Sequence, residues 1–297
     1  MAPLRVATRG SALARWQAER VVALLGSVGR YETEFVVVET AGDRRADAPI
    51  HALGGTGVFV KEIQEAVLDG RADLAVHSAK DLPALTPDGL VLAAVPERAD
   101  PRDALVGAML DELPTGAVVA TGSVRRRAQL AGLRPDLGFA ELRGNMHTRV
   151  GKAAGFDAIV VAAAALDRLG LAGQIAERLE SSVMLPQVAQ GALAVECRAD
   201  DDATLAALAT IEHHGVRRAI DAERAFLARL GGGCSMPVGA LAHLDGDAVE
   251  VEALLAAPDG RWVRRAQVTD ADPAAAGRAV AEVLLATVEA LEAGVVS

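Results

Sequence analysis

LRVATRGSALA, residues 4–14, starts as a short apolar strand and ends as a helix. Gly10 breaks the strand, and Ser11 can cap the first turn by accepting a backbone N–H into its side-chain oxygen. The same change of pattern recurs along the chain. YETEFVVVET (31–40) alternates and then turns apolar, as a strand does, and VFVKEIQEAVLDG (58–70) has the spacing of an amphipathic helix ending at glycine. DLAVHS (73–78) and LVLAAV (90–95) are further short strands. A second series follows ERADPRDALV (97–106), a stretch that looks like a crossover. It comprises GAVVATG (116–122), a helix from Val124, LGFAELR (137–143) ending at Arg143, a helix after Asn145, and FDAIVVA (156–162). Strands alternating with helices predict largely parallel sheets.

The chain's end is of another kind. GALAVECR (191–198) is one more strand, and helices follow the acidic ADDDA (199–203) and span about 215–230. Residues 238–268 alternate and carry Asp-Gly pairs, which predicts antiparallel hairpins before a closing alanine-rich helix. Two α/β domains and a small α+β domain result, with no residue-level repeat between the first two.

The chain has 297 residues, a net charge of −10, 51% hydrophobic and 3% aromatic residues. No apolar run reaches membrane-span length, and no secretory leader is expected from the opening residues. Its two cysteines form no CxxC, so a reduced, cytoplasmic protein without a Cys197–Cys234 disulfide is expected. The acidic balance and low aromatic content exclude a general nucleic-acid binder. His213 and His214 adjoin Glu212 on an acidic helical stretch and read as surface residues, so no metal site is expected.

Only three of 30 basic residues are lysines. Arginine richness is therefore compositional, and only arginine placement carries meaning. Ligands of doubly wound domains sit at the carboxyl ends of strands, against helix N-termini. Four junctions qualify: Arg9 and Ser11; His77, Ser78, Lys80 and Asp81; Thr121 and Ser123 before Arg125, Arg126 and Arg127; and Arg143 with Arg149. Residues 121–150 hold six arginines against Asp136 and Glu141. Arginine is unfavourable in a first helical turn, where the dipole favours anions. The cluster implies a bound anion, and guanidinium geometry suits a ligand with several carboxylates. No phosphate loop is present: GGTGVFVK (54–61) lacks the Gly-Lys-Ser/Thr ending. Asp81 has two readings, an ionised acid among cations or a turn cap before Pro83.

LGGGCSMPVG (230–239) places Cys234 where no regular element can run. A thiol on such a loop is within reach of a ligand.

Nine stretches in order resemble the porphobilinogen deaminase (hydroxymethylbilane synthase) family: ATRGSALA, GGTGVFVKEI, ADLAVHSAKDLP, ERADPRDAL, TGSVRRRAQL, LRGNMHTR, LDRLGL, LPQVAQGALAVECR and GGGCSMPVGA. The resemblance implies two periplasmic-binding-protein-like, doubly wound domains, 1–97 with 192–212 and 98–191, plus an α+β domain, 213–297. It implies a dipyrromethane cofactor held by a thioether to Cys234, with Cys197 an ordinary strand-end cysteine. It further implies a cytoplasmic, monomeric transferase. Porphobilinogen would lose ammonia, four units would join the cofactor, and hydrolysis would release hydroxymethylbilane. Asp81 would be the catalytic carboxylate and would also touch the cofactor. Lys80, Thr121, Ser123, Arg125, Arg126 and Arg149 would hold cofactor carboxylates. Arg9, Ser11, Arg143, Arg149 and Arg168 would hold substrate, with Gln190 lining the cleft and Phe59 covering it; Arg127 would face solvent. Thr56 and Ala52 stand where many relatives carry lysine, and Gly122 replaces a frequent serine. The alternative expectation is a non-catalytic two-lobed protein that binds a polycarboxylate.

Overall fold

The computed structural model describes residues 3–29, 31–40, 42, 59–231 and 237–293. The chain opens with β1 (Leu4–Thr8), α1 (Ala12–Val28), β2 (Thr33–Val37), α2 (Lys61–Leu68), β3 (Leu74–Ser78) and β4 (Leu90–Ala94). It then crosses into β5 (Asp103–Val106), β6 (Val118–Ala120), α3 (Val124–Leu133), β7 (Gly138–Ala140), α4 (Met146–Gly151), β8 (Ala158–Ala162), α5 (Ala163–Arg168) and β9 (Glu177–Leu179). It returns as β10 (Leu193–Arg198) and α6 (Asp202–Ala209). It finishes with α7 (His214–Arg229), β11 (Val238–Asp245), β12 (Ala248–Ala256), β13 (Val263–Asp270) and α8 (Pro273–Glu292).

The first sheet has the order β2-β1-β3-β10-β4 and the second β7-β6-β8-β5-β9. The two orders are one topology. In each, four strands run the same way and the fourth position is antiparallel to both neighbours. The odd strand is the one the crossover delivers: β5 arrives from the first lobe and β10 from the second. The α/β architecture with two similar lobes and a small third unit is thus present, and the similarity that residues conceal shows in strand order.

Each sheet buries both faces. In the first lobe Ala18, Val21 and Leu25 of α1 cover one side, and Ile63, Ala66 and Val67 of α2 the other. In the second, Leu130 of α3 packs on one face, and Leu166 with Met146 and Val150 on the opposite face. Strands buried on both faces read as continuous apolar runs, which is why 158–162 and 103–106 lack alternation. Truncating one such side chain, Leu25→Ala for example, costs roughly 2–5 kcal/mol.

Ser11 caps α1 as expected, its Oγ accepting from Ala14 N at 3.3 Å. Gly246, in the left-handed region at φ +57°, turns the β11–β12 hairpin. One expectation fails: Arg143 does not end a strand. β7 stops at Ala140 because its partner β6 stops at Ala120 to enter α3, leaving nothing beyond to pair with.

The third unit lays α7 and α8 across its three-stranded sheet. The helices touch closely enough that a Cβ on Gly277 would lie 2.1 Å from Ala222 O. α7 also reaches the lobes: Ile220 and Phe226 share one core with Leu82, Val95, Val188 and Ala189. The crossing segments meet there, with Ala99 N donating to Gly191 O at 3.0 Å and Leu193 N to Glu97 O at 3.2 Å.

Candidate active site

β3 ends at Ser78 and winds at once into a 3-10 turn, Ala79–Asp81, closed by Leu82 N donating to Ala79 O at 3.2 Å. Lys80 and Asp81 therefore stand at the carboxyl end of a central strand. Arg9 and Ser11 occupy the same position after the neighbouring β1. Arg9, Ser11 and Asp81, together with Gln17, Phe59, His77 and Ser78, line a pocket of about 390 Å³ that includes open solvent. The Arg9 guanidinium stacks 4.2 Å above the Phe59 ring. Gln17 Nε2 donates to Ser78 Oγ at 2.6 Å. Among the described residues the Asp81 carboxylate caps no turn; it faces this pocket.

The arginines of α3 come from the other lobe. Ser123 caps the helix, its Oγ accepting from Arg126 N at 3.4 Å, and its own N–H donates to Thr121 Oγ1 at 3.2 Å. Arg125 and Arg126 are buried, and both pair with Asp103 of β5, a fully buried carboxylate. Arg125 Nη2 donates to Oδ2 at 2.7 Å and Nη1 to Leu185 O at 2.6 Å. Arg126 donates to Oδ1 through Nε at 3.0 Å and Nη2 at 2.7 Å, and through Nη1 to Val160 O at 3.1 Å. The anion that the sequence pattern implied is thus in part the protein's own. Sequence reasoning missed Asp103, although it lies in the quoted ERADPRDALV stretch. Arg127 is exposed, 5.6 Å over the Phe139 ring.

Positive charge nevertheless exceeds negative. Burial, and then the nearby Arg126, push Lys80 down to about 8, against the pull of Asp81 and Asp103. Burial, then Arg126 and Arg143, push Arg149 down to about 10. Asp103 moves the opposite way: burial raises it, but Arg125, Arg126 and the Gln190 amide together hold it well below the carboxylate range. Burial is the larger cause of both cation shifts, and the coulombic push of Arg126 on Lys80 and of Arg126 and Arg143 on Arg149 adds to it.

Gln190 joins the two lobes. Its Nε2 donates to Asp103 Oδ1 at 2.8 Å and Pro101 O at 2.7 Å. Its Oε1 accepts from Lys80 Nζ at 3.2 Å and Arg126 Nη2 at 3.5 Å. Arg149 donates through Nε to Gly144 O at 2.8 Å. Arg143 sits in the loop after β7, 3.2 Å from Glu141, and its Nη1 would be 3.4 Å from a Cβ on Gly122. Arg168 is buried 5.3 Å over the Trp16 ring, with Nη2 donating to Gly191 O at 2.7 Å. The Nε atoms of Arg125 and Arg168 are buried without a hydrogen-bond partner among the described residues.

Glu196 and Gln64 escaped the sequence pattern, whereas their partner His77 stood in it. His77 Nε2 lies 3.2 Å from Glu196 Oε2, which also accepts from Gln64 Nε2 at 2.9 Å. Burial raises the Glu196 pKa, but His77 and Gln64 outweigh it and hold the group below its ordinary value. His213 and His214 are exposed, as expected, and His213 caps α7 through Nδ1; Glu212 is half-buried and accepts the Val95 N–H at 2.5 Å. No cluster of three metal-ligating side chains occurs among the described residues.

Cys197 is a free thiol buried in β10, and burial, then Asp201, push it up to about 11. Such a thiol is a poor nucleophile. Cys234, Ala52 and Thr56 lie outside the described residues. Among the described residues no helix is long and apolar enough to cross a membrane.

Residues 4–206 match the family model described as porphobilinogen deaminase, dipyromethane cofactor binding domain, and residues 218–286 match that of the porphobilinogen deaminase C-terminal domain. A porphobilinogen deaminase from Roseiflexus sp. (strain RS-1) is 51% identical over 289 residues, covering 95% of each chain. One from Brevibacillus brevis is 45% identical over 293 residues, 96% of this chain and 95% of the relative. Among solved structures, an ancestral cationic amino acid solute binding protein aligns over 70% of this chain and 87% of its own. Its TM-score is 0.44 at 14% identity. The nine motifs, the two family models and the curated relatives agree: the chain belongs to the porphobilinogen deaminase family.

Proposed function

We propose that the chain joins four porphobilinogen molecules head to tail into hydroxymethylbilane, with Asp81 as the catalytic carboxylate. The observation that carries this assignment is the charge around Asp81: Lys80, Arg126, Arg143 and Arg149 converge on one cleft from both lobes, and Asp103 answers only part of their charge. Each coupling breaks a C–N bond and releases ammonia, forms a C–C bond, and removes the α-hydrogen of the accepting pyrrole. Positive charge develops on pyrrole nitrogen during that exchange. An ionised carboxylate within hydrogen-bond reach stabilises it and can take up the proton.

The residues present fit a dipyrromethane. Its acetate and propionate arms need several donors, and the cleft offers Lys80, Ser123, Arg126 and Arg149, with buried Arg125 Nε lacking a partner among the described residues. When bound, the cofactor supplies a pyrrole with a free α-carbon, the nucleophile for the first addition. Thr121 would orient Ser123, as its hydroxyl accepts the Ser123 N–H. Arg9, Ser11, Arg143 and Arg168 would receive the substrate carboxylates, and Phe59 would screen them from water.

Cys234 is the proposed attachment point. The burial of Cys197 and its weak acidity favour the other sulfur. The reading extends to residues 1–97 with 192–212, 98–191 and 213–297 as the domains, and to a monomeric cytoplasmic transferase. Incubating the purified protein with porphobilinogen and measuring ammonia and linear tetrapyrrole tests it. One hydroxymethylbilane per four substrates consumed is expected, and binding without turnover would make it a polycarboxylate-binding protein instead.

A further inference from the structure

We infer that Glu223, on α7 of the third unit, is a positioning residue for the cleft: it holds Ala189 in a left-handed conformation and so aims the Gln190 amide between Lys80, Arg126 and Asp103. The inference rests on the reading that the cleft around Gln190 carries the reaction.

Ala189 has φ +60°, the one non-glycine residue with positive φ among those described. A Cβ makes that conformation unfavourable, so the surroundings must impose it. Glu223 imposes it. Its fully buried Oε2 accepts the Ala189 N–H at 2.6 Å and Arg98 Nη2 at 3.2 Å. Its Oε1 accepts Arg98 Nη1 at 2.5 Å and Ala242 N at 2.8 Å. Arg98 then turns back to the same turn, its Nε donating to Gln190 O at 3.1 Å. One ion pair thus grips the turn at the N–H before Gln190 and at the Gln190 carbonyl.

The adjoining residue adds a constraint. Gly191 has φ +86°, and a Cβ there would lie 2.5 Å from Ala99 O. With the backbone fixed on both sides, the Gln190 side chain has one course, and its amide meets two acceptors with nitrogen and two cations with oxygen. From the same turn Gln187 Nε2 donates to Lys80 O at 3.1 Å. If Ala189 relaxed to negative φ, the carbamoyl group would rotate out of this set. Lys80 and Asp103 would then lose their shared partner.

A merely structural pin between the third unit and the lobes would also use Glu223, and rescue separates the two roles. Glu223→Gln removes the charge, and Ala189→Gly allows φ +60° without strain. Glu223→Gln is expected to lower kcat by roughly 10- to 100-fold in folded protein, the scale of an ångström-sized misplacement. Adding Ala189→Gly should restore most of the loss, although it replaces no contact to Arg98 or Ala242. Where Glu223→Gln fails to fold, Glu223→Asp keeps the charge for Arg98, withdraws from the Ala189 N–H, and should show the same loss and rescue. Wild-type kcat in a folded Glu223 variant, or a loss that Ala189→Gly leaves unchanged, overturns the inference. Wild-type turnover by Gln190→Ala removes Gln190 from the reaction, and this inference with it, while full activity in the wild-type chain leaves the proposed function standing.

Discussion

Asp103 and Arg126 are joined twice, through Nε at 3.0 Å and Nη2 at 2.7 Å to a single carboxylate oxygen, in a place water does not reach. The second oxygen holds Arg125. One buried anion thus fixes two guanidinium groups that would otherwise repel each other, and leaves net positive charge facing the cleft. Replacing it leaves two buried cations without their counter-charge. Asp103→Asn is therefore expected to cost about 3–5 kcal/mol in unfolding free energy.

The pH dependence of stability follows the same group. The Asp103 pKa is held well below its ordinary value in the folded chain. Its stabilisation is complete above about pH 4 and is lost as pH falls through the unfolded value and below. Thermal unfolding between pH 6 and 3 should show a steeper decline for the native chain than for Asp103→Asn. Equal slopes would mean that Asp103 is not the group responsible.

Lys80 predicts a second pH effect. In the ligand-free cleft it releases its proton near pH 8. Binding of a dipyrromethane to the ligand-free protein should weaken as pH passes 8, and Lys80→Arg, which stays charged, should remove that decline. Stability moves the other way. Between about 8 and the ordinary 10.5 the unfolded chain keeps a proton that the folded one has released, so the Lys80 contribution rises with pH across that window. Lys80→Met should lack it. Calorimetric titrations and melts from pH 7 to 10 read both effects.

Asp81→Asn is expected to keep the cofactor and lose turnover by about 100- to 10,000-fold, the usual range for a general acid–base group. Mass analysis and a product assay on one preparation give both results. Near-normal turnover would take Asp81 out of the mechanism.

Two arginines should separate binding from scaffold. Arg126→Leu is expected to block cofactor assembly and to lower the melting temperature, because it also unpairs Asp103. Arg149→Leu gives up one internal bond, to Gly144 O. It should raise KM by roughly tenfold or more, as loss of a charge-assisted hydrogen bond does, with little change in melting. A mutant at 126 that still carries the dipyrrole would count against its assignment.

The strand-to-helix junctions were legible because Gly10 with Ser11, and Ser123 before Val124, are local signals. The Asp245–Gly246 turn was legible for the same reason. Asp103 was not, since its partner Arg125 is 22 positions away and nothing near either residue announces the pair. Glu223 escaped in the same way: it reads as one more acid on an amphipathic helix until the fold brings Arg98 and Ala189 to it. Strand direction was hidden too. β5 and β10 look like any buried strand, and only the crossing of the chain between lobes sets them antiparallel. Arg143 was placed on a strand because its neighbours suit one, but pairing ends where the partner strand ends.

The most direct test is the mass of the intact, active protein, followed by mapping of the modified peptide. The account predicts an added dipyrromethane on Cys234, kept in Cys197→Ala and absent in Cys234→Ala, with activity present only where the adduct is. Fully active protein of unmodified mass, or an adduct on Cys197, would contradict it.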